Sequence, residues 1–244
     1  MSICGLALDY GPYGMMEKYD PFWTPNMSDF DSRYSSGNQP QVILWNLYRL
    51  SIAIASLTQN SPRVQSILSA FQSQYLSQSH EMMCQKLGFF TRKIEDARII
   101  QDLKKLLHST EIDITIFFRL LSGISMEKSI DFIDIFAPAM YRLQLPDSDI
   151  IRWNEWVSRY IHRIAEENIS PSSRVDAMNR INPKYILRNW MLEEAIQNAE
   201  NSNFDLIDQF YDMIQDPYMD NPKYDIWYIK NPNPNTSTRL SCSS

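Results

Sequence analysis

Long apolar runs are missing from this sequence of 244 residues. Nowhere do about eighteen uninterrupted apolar residues occur, so no membrane span is legible. Cysteine is scarce: Cys4, Cys84 and Cys242 are odd in number and far apart. They read as neither a disulfide framework nor a zinc site, which suits a reducing compartment. His80, His108 and His162 are scattered too, with no partner expected at the four-residue spacing of helical zinc sites. Each reads as a surface or half-buried helix residue. Positive charge is the minority, 23 Lys and Arg against 29 Asp and Glu, and no basic stripe gathers it. Nucleic acid therefore has no electrostatic footprint here, and the net charge of −6 serves solubility. No basic segment followed by an apolar one opens the chain, so no signal peptide is visible. Internal repeats and interdomain linkers are lacking as well.

What is present is ordinary globular material, 44% hydrophobic and 21% charged, enough for a core. A chain of this length buries roughly 70–75% of its unfolded surface on folding. Residues 2–8 read as one short strand, and the apolar run Leu6-Ala7-Leu8 ends in Asp9 before Tyr10-Gly11-Pro12. Gly11 tolerates dihedrals that a β-carbon resists, so the chain can turn abruptly after the carboxylate. A strand-end Asp before such a turn is how nucleotide-transfer sites hang Mg²⁺ from a fixed oxygen. An ordinary hairpin turn uses the same residue types. From 10 to 40 no period survives, and Pro12, Pro21, Pro25 and Pro40 interrupt the chain. A loop this long is either functional or a surface excursion pinned by Phe22, Trp23 and Tyr34.

The remainder reads as helix. Residues 42–57 are apolar on nearly every side, as in a central core helix. A second helix starts at Pro62 behind a Ser61 cap, carries Val64, Ile67, Leu68, Phe71, Tyr75, Met82, Met83 and Leu87, and stops at Gly88. The Met and aromatic stripe reads as core. Residues 93–108 form a third helix with Ile94, Ala97, Ile100, Leu103, Leu106 and Leu107 on one side, and 113–121 a fourth, capped by Asp113. Beyond Pro138 and the LPDSD break, Ile150, Trp153, Trp156, Val157, Tyr160, Ile161 and Ile164 make an apolar stripe. Arg152, Glu155, Arg159 and Arg163 are assigned to the opposite face. ENISPSSR reads as a loop. Asn182-Pro183 reads as cap and first residue of a helix running through KYILRNWMLEEAIQNAE, and a last helix carries Phe204 to Ile214. The expected architecture is mainly α: one helical domain over 1–230 and a flexible tail over 231–244.

Several stretches, in order along the chain, carry a resemblance. SICGLALDYGPYGMMEKYDP, SDFDSRYSSGNQPQVILWNLYRL, NPKYILRNW and the terminal SCSS closely resemble the selenoprotein O (SelO) family. The resemblance implies a kinase-like C-terminal lobe, with 10–40 where a kinase keeps its activation segment. It also implies an activity, transfer of AMP from ATP to hydroxyl side chains of protein substrates, with Mg²⁺ or Mn²⁺. Asp9 occupies the family's metal-binding Asp, the ligand that escorts the ATP phosphates. The family's base Asp, its neighbouring metal-binding Asn and the phosphate-clamping N-terminal lobe lie before the segment matching Met1. No catalytic base is therefore expected within this chain, and by itself it is expected to be inactive.

Cys242 matches the position of selenocysteine or cysteine in relatives, a redox candidate on an accessible tail or else a spectator thiol. The family's usual partner cysteine is replaced here by Pro25, so that disulfide is not available. Asn182, Pro183, Arg188 and Asn189 also match, and capping and buried hydrogen bonding account for them. The resemblance implies a mitochondrial protein if eukaryotic and otherwise a cytoplasmic one, with an N-terminal lobe as partner. The alternative is a non-catalytic helical interaction module derived from such an enzyme.

Overall fold

The computed structural model describes residues 14–26, 28–58, 61–124 and 131–233. The expected strand over 2–8, Asp9, the end of the tail and Cys242 lie outside these. Among the described residues the helices are α1 (Gln39–Thr58), α2 (Ser61–Leu87), α3 (Asp96–Thr110), α4 (Ile114–Ser122), α5 (Phe132–Phe136), α6 (Asp147–Ala165), α7 (Pro171–Ile181), α8 (Asn189–Glu200) and α9 (Asp205–Gln215). Short 3₁₀ turns occupy Ser36–Asn38, Ala137–Ala139 and Pro222–Trp227. Extended pairing among the described residues is limited to two isolated antiparallel bridges, Lys18 with Asp113 and Ile112 with Met140. The expectation of a mainly helical protein is met. The contacts divide the described chain into two compact units, residues 14 and 20–81, and residues 15–19 with 82–233.

The larger unit is built on α3, α4 and α6. Asp113 caps α4, its Oδ1 accepting from the Ile116 amide at 3.0 Å, and so fixes where the helix begins. Phe117 then enters the core, 4.7 Å from Phe136 and 5.6 Å from Trp153 between ring centres. Trp153 stacks on Phe132 at 4.2 Å, and Trp156 on Tyr160 at 5.3 Å. All three α6 aromatics are fully buried, and each polar tip has a partner. Trp153 Nε1 donates to Thr110 Oγ1, Trp156 Nε1 to the Ile99 carbonyl and Tyr160 Oη to the Leu87 carbonyl, at 3.2, 2.9 and 3.0 Å. Large rings thus supply area without leaving an orphaned donor. A second cluster of Tyr185, Met191, Ala195, Phe210, Met213 and Tyr224 joins α8 and α9 to the Pro222–Trp227 turn.

Four expectations need correction here. Arg163 does not face away: it is 1% exposed and reaches Asp96 at 2.6 Å and Glu167 at 2.7 Å. It stands seven residues after Trp156 and three after Tyr160, and so shares their face. The ENISPSSR loop contains a helix start, with Ser170 Oγ accepting from the Ser173 amide and Pro171 as first residue of α7. Asn182 closes α7 rather than opening α8, its amide donating to the Met178 carbonyl at 2.8 Å. The chain then stays outside helix until Asn189. Ile94 is 97% exposed and precedes α3, whose buried side runs through Ile99, Ile100, Leu103, Leu106 and Leu107.

The smaller unit opens with a hydrogen-bonded loop. Both Asp29 oxygens accept from backbone amides, those of Arg33 and Tyr34, and the Gly37 amide donates to the Pro21 carbonyl at 2.8 Å. A β-carbon at Gly37 would stand 2.9 Å from that same oxygen, so only glycine fits the approach. Pro40 lies in the first turn of α1, where a missing N–H costs nothing. The expectation that α1 is the central core helix fails: Val42 is its one buried residue. The α2 stripe fails likewise over most of its length, with Ile67 and Met82 exposed and only Cys84 and Leu87 buried. An apolar helix is buried only where neighbours exist on each side, and the described chain does not supply them here.

Candidate functional site

Downstream of Asp9 in sequence, Met15 to Tyr19 form part of the larger unit and are held by it along their length. The Met15 amide donates to Asn189 Oδ1 at 2.9 Å. The Glu17 carbonyl accepts from the Ile114 amide at 2.9 Å, and Lys18 bridges to Asp113 and pairs with Glu111 at 2.7 Å. At the centre lies Arg188, 1% exposed, whose Nη1 donates to Asp113 Oδ2 and, at 2.7 Å, to Glu17 Oε2. Tyr141 Oη adds a 3.0 Å bond to the same Glu17 oxygen.

Asp113 therefore serves two elements: one oxygen caps α4 and the other meets a guanidinium 75 residues away in sequence. Burial alone would lower the Arg188 pKa, but the Asp113 and Glu17 carboxylates outweigh it and hold the guanidinium charged. Tyr141 is pushed up by burial and by the same two carboxylates, so its hydroxyl stays a donor. A buried guanidinium between two carboxylates is geometrically demanding, and removing one partner leaves an uncompensated charge. Its effect is to hold residues 15–19 against the starts of α4 and α8.

A second buried network surrounds Arg163. Its Nε and Nη2 donate to Asp96, its Nη1 to Glu167 and its Nη2 also to the Thr91 carbonyl. Glu167 Oε1 further accepts from the Phe90 and Thr91 amides at 3.1 and 3.2 Å. Burial raises the Glu167 pKa, and the Arg163 and Thr91 hydrogen bonds outweigh it, leaving the carboxyl below its ordinary value. This cluster closes the 88–95 turn. Lys86 is different: burial lowers its pKa to about 8, and Nζ sits 4.4 Å from the centre of the Phe118 ring.

A groove of about 890 Å³ runs beside α3 and α6, lined by Arg98, Asp102, Lys105, Arg152, Glu155 and Arg159 among others. Four cations face two carboxylates in this lining, and three of the cations converge on Asp102: Arg159 at 2.9 Å, Lys105 at 3.8 Å and Arg98 at 3.9 Å.

The sequence-predicted residues fall in two classes. Asp9, the metal and nucleotide candidate, and Cys242, the redox candidate, lie outside the described residues. Arg188 and Asn189 are brought together on residues 15–19. Their capping and hydrogen-bonding reading holds, and it acquires a purpose, namely to anchor residues 15–19. Glu17 and Asp113 went unnoticed as partners because sequence periodicity reports local faces and not pairings across 75 or 171 residues. The expectation that no histidine has a partner at four-residue spacing fails at His80, since Cys84 stands one turn further along α2. Divalent metal chemistry needs free hard oxygens. Glu17 and Asp113 are already committed to Arg188, so the described anchor does not itself make such a set.

The family model for "Protein adenylyltransferase SelO" matches residues 1–215. Among similar proteins, the "Protein nucleotidyltransferase YdiU" of Flavobacterium johnsoniae is 41% identical over 254 residues, covering all of this chain and 48% of the relative. Those of Aromatoleum aromaticum and Xanthomonas campestris pv. campestris (strain B100) are each 34% identical over the whole chain, which matches 47% and 48% of them. The chain thus spans about half the length of these relatives. A match over 1–215 that includes the Asp9 turn, the loop, α1 and the Arg188–Asn189 anchor places the chain in the SelO protein adenylyltransferase family.

Proposed function

We propose that this chain is the C-terminal lobe of a SelO-type protein AMP-transferase, acting with ATP and Mg²⁺ on hydroxyl side chains of other proteins. The observation that carries the reading is the anchor, in which Arg188, Asp113, Glu17 and Asn189 hold residues 15–19, the described segment that follows the proposed metal ligand in sequence. A phosphoryl or nucleotidyl site works by positioning and by electrostatic stabilisation, and a firmly held segment downstream of the ligand supports that reading. Asp9 would hold the cation, which when bound neutralises charge on the triphosphate. The base and the phosphate-clamping lobe belong to the part of the family sequence before the segment matching Met1. In this reading the chain by itself binds nucleotide weakly and does not turn over. A kinase-like topology and a redox role for Cys242 belong to the same proposal.

A thermal-shift titration with Mg·ATP tests it, run on the chain joined to the remaining half of the Flavobacterium johnsoniae relative. Wild type is expected to be stabilised in a magnesium-dependent way, and Asp9→Asn to lose that stabilisation while keeping its ligand-free melting temperature. Equal responses of the two proteins would remove Asp9 from the site. The second reading, a non-catalytic helical module, draws on the closed aromatic core of α3, α4 and α6, whose rings stack on one another and whose polar tips are paired within it. It forecasts no response to Mg·ATP in either protein.

A further inference from the structure

The helix α1 has only one charged side chain, Arg49, among its 20 residues, yet a single residue of it is buried. Trp45, Tyr48 and Ile52 stand three and seven apart, on one face, and are 46%, 52% and 51% exposed. Leu57, at the end of the helix, is 83% exposed. Beside this face Gln41, Leu44, Trp45 and Tyr48 of α1 and Gln65, Leu68 and Ser69 of α2 line a groove of about 480 Å³. The Arg33 and Arg49 guanidinium carbons lie 4.8 and 5.0 Å from the Trp45 ring centre, which leaves an aromatic anchor framed by two cations.

A helix that is apolar all round belongs in an interior, and a contiguous apolar face of this kind marks a surface that something covers. We infer that the α1 face, centred on Trp45, Tyr48 and Ile52, docks the half of the SelO-family polypeptide that this chain does not span. The inference rests on the family reading above and adds to it the place of contact. Two observations select that occupant. Each relative is about twice as long and matches this chain through 47–48% of its length, so in those relatives a comparable length of polypeptide is joined to the matching half. The face is also poor in charge, the composition of the core of a permanent interface rather than of a transient polar one. A second copy fits less well, because a two-fold contact centred on Trp45 would turn Arg33 and Arg49 toward their own images. The complementary surface is aliphatic or aromatic at its centre, with carboxylates or carbonyls at the rim opposite the two arginines.

The test compares the double variant Trp45→Glu/Ile52→Glu with wild type in two contexts, the chain alone and the chain joined to the remaining half of the Flavobacterium johnsoniae relative. Alone, wild type is expected to bind the dye ANS and to associate in light scattering, and the variant to do neither at unchanged helical circular dichroism. In the joined protein ANS binding is expected to vanish for wild type. There the variant should lower the melting temperature by about 5 °C or more, against little change for the lone chain. Equal shifts in both contexts, or a lone wild-type chain that is monodisperse and dark to ANS, would overturn the inference. So would a joined wild-type protein that still dimerises through α1. Nucleotide binding is not read in this experiment. A joined protein that passes it but ignores Mg·ATP would sink the transferase reading and leave the docking face standing.

Discussion

Two helices of similar length and similar aromatic content, α1 and α6, meet opposite fates. Trp153, Trp156 and Tyr160 of α6 are fully buried, while Trp45 and Tyr48 of α1 are about half exposed. The more polar helix is the one inside. The α6 sequence alternates apolar residues with Asp, Arg and Glu at helical spacing, so one stripe faces α3, α4 and α5 and the other faces water. The α1 sequence has no polar face to turn outward, so its burial requires neighbours all round it. Burial therefore follows from the supply of partners and not from apolar content alone.

The comparison can be broken most directly at Trp153. Replacing it with Ala removes a ring stacked 4.2 Å from Phe132 and is expected to cost about 3–5 kcal/mol in urea denaturation. If that cost is under about 1 kcal/mol, the α6 core is not the centre of the larger unit. Next in size is Arg188→Met, which leaves Asp113 and Glu17 as unmatched carboxylates, Asp113 fully buried, and should lose about 3 kcal/mol. A conservative Arg188→Lys is expected to recover part of it, since Lys keeps the charge but not the fork.

Lys86 gives a smaller effect with a definite sign. Its folded pKa is depressed to about 8 by burial, so between that value and the ordinary 10.5 the unfolded chain binds more protons. Stability from this group therefore rises with pH across the window, and the penalty is fully present below pH 8. Lys86→Met is expected to stabilise at pH 7 by roughly 1–3 kcal/mol, part of the penalty being offset in wild type by the Phe118 ring. The gain should shrink by pH 10, and a gain independent of pH would rule out this titration. The smallest change belongs to Trp45→Ala on α1, within about 0.5 kcal/mol for the chain alone. A loss as large as that at Trp153 would erase the contrast between the two helices.

Much of the helical order was legible because its signals are local. The Asp113 cap, the Ser61-Pro62 start and the Gly88 stop all stand where expected, with Gly88 at φ +72° and a Met178 sulfur only 2.8 Å from where a β-carbon would lie. Arg163 was misread because charge was allowed to override spacing, although its position already put it on the tryptophan face. Asn182 was misread because Asn-Pro is a good helix opening in isolation, and only the α7 carbonyl at Met178 shows that a helix is ending there. The proposed site was legible as one carboxylate in a turn, whereas the residues that anchor the following segment were not, since their pairing spans most of the chain.

From the sequence alone came the helical class, most helix starts, the family and Asp9 as the candidate metal ligand, because caps, turns and motif order are properties of neighbouring residues. Tertiary structure alone decided which apolar face is covered and which carboxylates Arg188 engages. Those outcomes depend on what lies across space, where a buried charge must find its counter-ion and an apolar helix its cover, and no local pattern encodes either.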